Sequence, residues 1–150
     1  MYLVRKSSKG LRRYVINEVE AYRGEEDQAS HARRGVTPRT RVMYRQGGRL
    51  YVYLIYGIHW MLNIVTGPED TPQAVLIRGL SEVQGPGRLT KKLDIDRSFN
   101  QEDLIQSDRI WIEENSRASG KIITRPRVGI DYAGETWKNK PWRFILEDSS

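Results

Sequence analysis

A chain of 150 residues, 38% hydrophobic and 29% charged, suffices for one soluble domain around one core. It has no cysteine, which excludes disulfides, thiolate nucleophiles and cysteine-held zinc, and its two histidines argue against a histidine-rich metal site. The net charge of +6 favours a polyanionic partner, because Lys and Arg that neutralise phosphates release counterions, although many small proteins are basic without binding nucleic acid. No apolar run approaches the ~20 residues of a membrane span. The first residues hold no apolar block of signal-peptide length, so the expectation is a soluble intracellular protein acting without a membrane.

In chain order, residues 2–22 read as two strands joined by the turn SSKG, the second strand being RRYVINEVEAY. By alternation Tyr14, Ile16, Glu18, Glu20 and Tyr22 share one face of it, and Gly24 ends it. EEDQASHARR places acids in a first turn and Arg33 and Arg34 in a last turn before Gly35, the pattern of a helix with both dipole ends complemented. VTPRTRVMYRQGG offers Thr37 as a cap and Pro38 at the first position of a short helix closed by Gly47-Gly48. Arg33, Arg34, Arg39, Arg41, Arg45 and Arg49 cluster here, close to a tyrosine-rich strand.

RLYVYLIYGIHWMLNIV alternates with period two, which argues for a strand pair reversing at Tyr56-Gly57. Its even positions form a core face. Its odd positions, with Tyr51, Tyr53, His59 and Asn63, form a surface able to meet something flat and polar, and Tyr56 stands at the exposed tip. TPQAVLIRGL is a further strand with Arg78 near its end. QGPGRLTKKLDI is a turn into a basic helix whose first N–H groups can bind phosphate. Asn100 followed by Asp103 marks a helix start, RIWIEE is a strand, and the chain closes with one or two strands and a loop in RPRVGIDYAGETWKNKPWRFILE. The fold class expected is α+β: a curved, mostly antiparallel, open-barrel-like sheet with short peripheral helices in a single domain.

A carboxylate near a strand end beside a tyrosine suits a general base, which needs only to stay ionised and to hold a water about 3 Å away. Arg78 is a candidate for the positive neighbour that keeps it ionised. The plain alternative is that Glu18 and Glu20 are solvated or paired with surface arginines, that His31 decorates a surface and that Tyr22 and Tyr53 edge the core. Taken together, two tyrosines, a histidine, an acid and an arginine equip an aromatic slot with a water-activating acid behind it. That equipment suits chemistry on a base taken out of the helix.

The ordered segments INEVEAYRGEEDQASHARRGVTPRTRVMY, LYVYLIYGIHWMLNIV, AVLIRGL, GPGRLTKKL and RVGIDYAGETWKNKPWRF resemble the alkyladenine (3-methyladenine) DNA glycosylase family. The family pattern runs E-T-E-A-Y, G-x-x-D-x-A-x-H, T-x-R-x-x-x-M, Y-x-Y, N, L-x-R and G-P-x-K-L, and the chain follows nearly all of it in order over residues 12–146. The resemblance implies Glu20 as catalytic base and Arg78 as the arginine that helps hold its water. It implies Tyr22, His31 and Tyr53 around the flipped base, Asn63 against the purine amino edge, and Tyr56 as the wedge that enters the duplex. Glu18 matches an acid without the base role. Base release from double-stranded DNA containing alkylated purines is then expected, by a monofunctional, monomeric enzyme without metal or organic cofactor, located with the DNA in cytoplasm, nucleoid or nucleus. Phosphate contacts are expected from Arg39, Arg41, Arg88, Lys91 and Lys92.

Against the family pattern, residues 1–150 are expected to form one glycosylase domain, shorter at its N-terminus and between Arg78 and Gly85. The pattern gives no firm role to His59. A non-catalytic module that binds damaged DNA and a basic single-stranded RNA-binding β-domain are the rival readings.

Overall fold

The computed structural model describes residues 1–117 and 119–148. β1 (Tyr2–Ser7) and β2 (Gly10–Arg23) form the expected first hairpin, and β2 ends where Gly24 takes φ +73°. β3 (Leu50–Ile55) and β4 (His59–Val65) form the second. Tyr56 and Gly57, with φ +50° and +68°, reverse the chain, and the Ile58 N–H closes the turn on the Ile55 carbonyl. β5 (Gln73–Leu80), β6 (Val83–Gln84), β7 (Ile110–Glu113), β8 (Gly120–Arg125) and β9 (Arg143–Asp148) complete one antiparallel sheet. Its main path runs β3-β4-β5-β2-β1-β7, with β6 on β5, and with β9 joining β2 to β8. The helices are short: α1 (Pro86–Lys92), α2 (Glu135–Lys138) and four single turns of 3₁₀ helix among the described residues. The α+β curled sheet expected from the sequence is what the chain forms. No helix among the described residues is long and apolar enough to cross a membrane.

The main core gathers Leu3, Tyr14, Leu50, Val52, Leu62, Ile77, Leu80 and Leu89 with residues from the segment after α1. A second cluster lies across the β3–β4–β5 layer, where Ala32, Val42 and Met43 pack on Tyr51, Val65 and Ala74. The odd face of the β3–β4 hairpin is therefore no open surface at its base. Tyr51, Met61 and Asn63 are buried, and Ala29, His31 and Met43 from the segment before β3 stand over Tyr51 and Asn63. The even face, expected to be core, is so only at its base: Leu54, Tyr56 and Ile58 are exposed, because β5 pairs with β4 only over residues 63–65 and the hairpin tip runs on beyond it.

Local breaks in pattern position the site. The β2–β5 register is irregular at Glu18, which pairs with Gly79 while Ile16 pairs with Leu80 and Val19 with Ile77. Ile16 and Val19, three apart, both pack on the main core, so the alternation does not carry through. Tyr14 and Ile16 do not share the face of Glu20 and Tyr22. Gly79 permits this close approach, since a Cβ there would stand 2.6 Å from Asn17 Oδ1 and 3.0 Å from Glu18 Cβ.

Three expected helices are replaced by tighter turns. In place of a helix over residues 25–34, only His31–Arg34 form a 3₁₀ turn, capped by the Ser30 hydroxyl on the Ala32 N–H. Asp27, expected in an exposed first turn, is buried and accepts the N–H groups of Arg23 and Ala29. Thr37 does not cap a helix from Pro38. It exchanges hydrogen bonds with Thr40, and a 3₁₀ turn follows at Arg41–Tyr44. Asn100 starts no helix either: its side-chain oxygen accepts the Val52 N–H, and the next residues pair with Leu50 along the free edge of β3. Near the C-terminus, Gly120–Arg125 forms a strand that the sequence reading did not anticipate.

Candidate active site

Glu20 lies in the interior of the sheet, paired through its backbone to Leu76 of β5 on one side and to Arg143 of β9 on the other. Its side chain is completely buried, and a buried carboxylate must be compensated by donors. The Tyr22 hydroxyl donates to Oε2 at 2.8 Å, and the Val128 N–H donates to Oε1 at 2.7 Å. Arg78 stands between the two glutamates, its Nε 3.6 Å from Glu20 Oε1 and 3.4 Å from Glu18 Oε1, within ion-pair reach of both but hydrogen-bonded to neither. Glu18 has a second cation, Arg143, whose Nη1 donates to it at 3.1 Å. The two acids of the EVEAY stretch are thus distinct. Glu18 is held by two arginines, whereas Glu20 is held by a phenol and a backbone N–H, with Arg78 as its charged neighbour.

Tyr22, which donates to Glu20, is also one wall of a cleft of about 50 Å³, lined in part by His31, Tyr51, Tyr53, Asn63 and Tyr132. His31 and Tyr53 meet edge to face with ring centroids 4.6 Å apart, and Tyr51 and Tyr53 lie 5.0 Å apart. The Tyr51 hydroxyl and His31 Nδ1 share a hydrogen bond of 2.8 Å. Burial first, then the charges of Arg39 and Arg33, lower the His31 pKa to about 4, so its ring is neutral at pH 7. Burial, reinforced by the Glu20 charge, raises the Tyr22 pKa, so Tyr22 stays a hydroxyl and a donor. The Asn63 amide donates to the Tyr51 carbonyl at 3.2 Å. A larger concavity of about 860 Å³ lies elsewhere, along Ile16, Ile77, Trp111 and Phe144. It is apolar and takes in Glu18, whereas the small cleft is lined by Tyr22, the phenol bound to Glu20, and by His31, Tyr53 and Asn63, so the polar and aromatic candidates gather at the small cleft.

The structure brings Glu20, Tyr22, His31, Tyr53, Asn63 and Arg78 together at or directly behind this cleft. Tyr56 stands apart at the hairpin tip and is 89% exposed. Of the basic candidates, Arg39 lies over the Tyr53 ring, with its guanidinium carbon 5.0 Å from the centroid. Arg41, Arg88 and Lys91 are exposed, and Lys92 is engaged with Glu82 at 3.0 Å. His59 does not line the cleft; its ring is set against the first turn of α1, where a Cβ on Gly87 would lie 2.9 Å from Nδ1.

Sequence reasoning missed Tyr132, Val128, Arg127 and Asp27 at this site, and noted Tyr51 only as part of an open face. Tyr51 had a signal, two residues from Tyr53 on one strand face. The other four lie inside segments that follow the family pattern, Asp27 as the acid of G-x-x-D-x-A-x-H and Arg127, Val128 and Tyr132 in RVGIDY, but no local signal joins them to Glu20, since the partners are about a hundred residues apart.

An orientated carboxylate behind an aromatic cleft on a curled antiparallel sheet is an enzyme's arrangement, suited to activating water beside a flat ring. The methylpurine-DNA glycosylase family model matches residues 1–84 and 81–150, two pieces that meet at the β5–β6 hairpin. A protein of Borreliella burgdorferi strain ZS7 is 42% identical over 159 aligned residues, covering 98% of this chain and 86% of the relative. One of Anaeromyxobacter dehalogenans strain 2CP-1 is 44% identical over 148 residues, covering 93% and 70%. One of Legionella pneumophila strain Corby is 44% identical over 141 residues, covering 89% and 76%. All three are provisionally named 3-methyladenine DNA glycosylases. The chain belongs to the methylpurine-DNA glycosylase family.

Proposed function

We propose that this chain is a base-excision repair enzyme, a monomeric, monofunctional DNA glycosylase that removes alkylated purines such as 3-methyladenine from duplex DNA. Family membership supports the DNA glycosylase reading. The observation that carries the mechanism is Glu20, buried behind an aromatic cleft with one donor on each oxygen.

The lesion is flipped out of the stack, at a cost of a few kcal/mol that is smaller for a damaged base. Tyr56 fills the gap at the tip, and the base enters between Tyr22, His31 and Tyr53, replacing ring contacts that close the empty cleft. Stacking returns ~1–3 kcal/mol per contact. Electron-rich rings favour a cationic alkylpurine, and the neutral His31 adds no opposing charge. Asn63 faces the purine edge and disfavours a guanine amino group. Glu20 takes a proton from a water as its oxygen bonds to C1′, and Arg78 helps hold that water. The C1′–N bond breaks with its electron pair going to the base, which leaves neutral, and an abasic sugar hydroxylated at C1′ remains. Until that proton transfer is complete, the negative charge of Glu20 stabilises the oxocarbenium character developing at C1′. Arg39, Arg41, Arg88 and Lys91 contact phosphates.

The test is Glu20→Gln on a methylated duplex, reading abasic sites by alkali-induced cleavage. Release is expected to stop while binding to an abasic-site analogue persists. Release at the wild-type rate with unchanged binding would show that Glu20 is not the base.

A further inference from the structure

Arg127 and Asp27 form an ion pair with both side chains buried. The contact is a two-pronged fork: Nη1 donates to Asp27 Oδ2 at 2.6 Å and Nη2 to Oδ1 at 2.9 Å. Nη1 also donates to the Ala21 carbonyl at 2.9 Å, on the residue between Glu20 and Tyr22. Asp27 in turn accepts the N–H groups of Arg23 at 3.1 Å and Ala29 at 3.0 Å, fixing the turn that leads to His31. The guanidinium carbon lies 4.8 Å from the Tyr22 ring centroid and 5.0 Å from that of Trp142. The next residue is Val128, whose N–H holds Glu20.

One fork therefore ties three segments of chain together: the β2 backbone between the acid and its phenol, the turn before His31, and the loop that supplies a donor to Glu20. A buried pair is often no more stabilising than apolar residues of the same volume. Its worth here lies in what it aligns. We propose that the Arg127–Asp27 fork is a positioning device for base hydrolysis, holding the Val128 N–H and the Tyr22 ring in register with Glu20. This rests on the glycosylase reading above. Arg127 touches neither the cleft nor a reacting atom, so it acts through Glu20 and Tyr22 and sets the rate of bond breaking rather than the affinity for DNA.

The experiment compares Arg127→Lys and Asp27→Asn with wild type and Glu20→Gln. Base release from a methylated duplex is measured under single-turnover conditions and normalised to the folded fraction. Binding to a duplex carrying a tetrahydrofuran abasic analogue is measured alongside. Misplacing a catalytic group by about 1 Å costs about a hundredfold. The expected result is a rate constant about a hundredfold lower in both variants, with the analogue bound within about threefold of wild type. Lysine keeps the charge but not the fork, so charge alone does not rescue. A rate constant at the wild-type value, or rate and affinity falling by the same factor, overturns the proposal. If both variants fail to fold, Val128→Pro removes the N–H that links the fork to Glu20 while also fixing φ there and restricting Arg127: lost rate with retained affinity supports the proposal, and unchanged rate overturns it. Continued release by Glu20→Gln sinks the glycosylase mechanism itself, whereas an inactive Glu20→Gln beside a fully active Arg127→Lys sinks only the positioning role.

Discussion

Acidifying the protein should weaken it, and the upper part of the pH window belongs to one residue. His31 has an ordinary pKa of 6.5 in the unfolded chain, and burial beside Arg39 and Arg33 lowers it to about 4 in the fold. The unfolded chain thus binds the proton more tightly. The associated stability is complete above pH 6.5 and is lost as pH falls from 6.5 towards 4. At ~1.4 kcal/mol per pH unit of difference, the loss between pH 7.5 and pH 4.5 is about 2.5 kcal/mol. Urea unfolding at constant ionic strength across that range measures it, with His31→Gln as the comparison. The variant should show a nearly flat stability over the upper part of the window, where wild type already declines. Equal slopes for wild type and His31→Gln would refute the claim that the fold holds this ring neutral between Tyr51 and Tyr53.

Three further outcomes are expected. Tyr22→Phe removes the hydroxyl that donates to Glu20 Oε2, a bond to a charged acceptor worth about 1.5–3 kcal/mol. Single-turnover base release should slow about ten- to a hundredfold with duplex affinity unchanged, and a wild-type rate would remove the phenol from the mechanism. Tyr56→Gly relieves a side chain held at φ +50°, a strain of ~1 kcal/mol, so the thermal midpoint should not fall. Release from duplex should drop while release from single-stranded DNA stays, and equal losses on both substrates would contradict a wedge. For binding to duplex, Arg88→Ala and Lys91→Ala should each reduce the slope of log affinity against log salt by about 0.9. Lys92→Ala should leave it unchanged, since Lys92 is engaged with Glu82, and a reduced slope there would place Lys92 on the DNA.

The elements legible in the sequence are those whose determinants are local. Period-two alternation predicts the β3–β4 hairpin, and Tyr56-Gly57 predicts its reversal, because a tight turn needs positive φ within a few residues. The same local signals misread residues 25–34. Asp27 there reads as an acid at a helix start, yet it is claimed by Arg127 a hundred residues later, and a carboxylate buried against a guanidinium cannot also face solvent in a first turn. The alternation that grouped Tyr14 and Ile16 with Glu20 fails for a related reason. The irregularity at Glu18 depends on the Gly79 side of a partner strand, which no window on β2 contains.

The candidate site divides along the same line. Glu20, Tyr22, His31, Tyr53, Asn63 and Arg78 stand out because an ordered motif singles each of them out. Their separate environments are set by tertiary contacts instead. Glu18 and Glu20 are two apart on one strand and share Arg78, but only Glu20 receives the Val128 N–H and the Tyr22 hydroxyl. Those two donors arrive by different routes, one along β2 and one from the loop that Arg127 anchors. The distinction between a structural acid and a candidate base therefore lies not in the spacing of the two glutamates but in the fork that brings a distant backbone N–H to one of them.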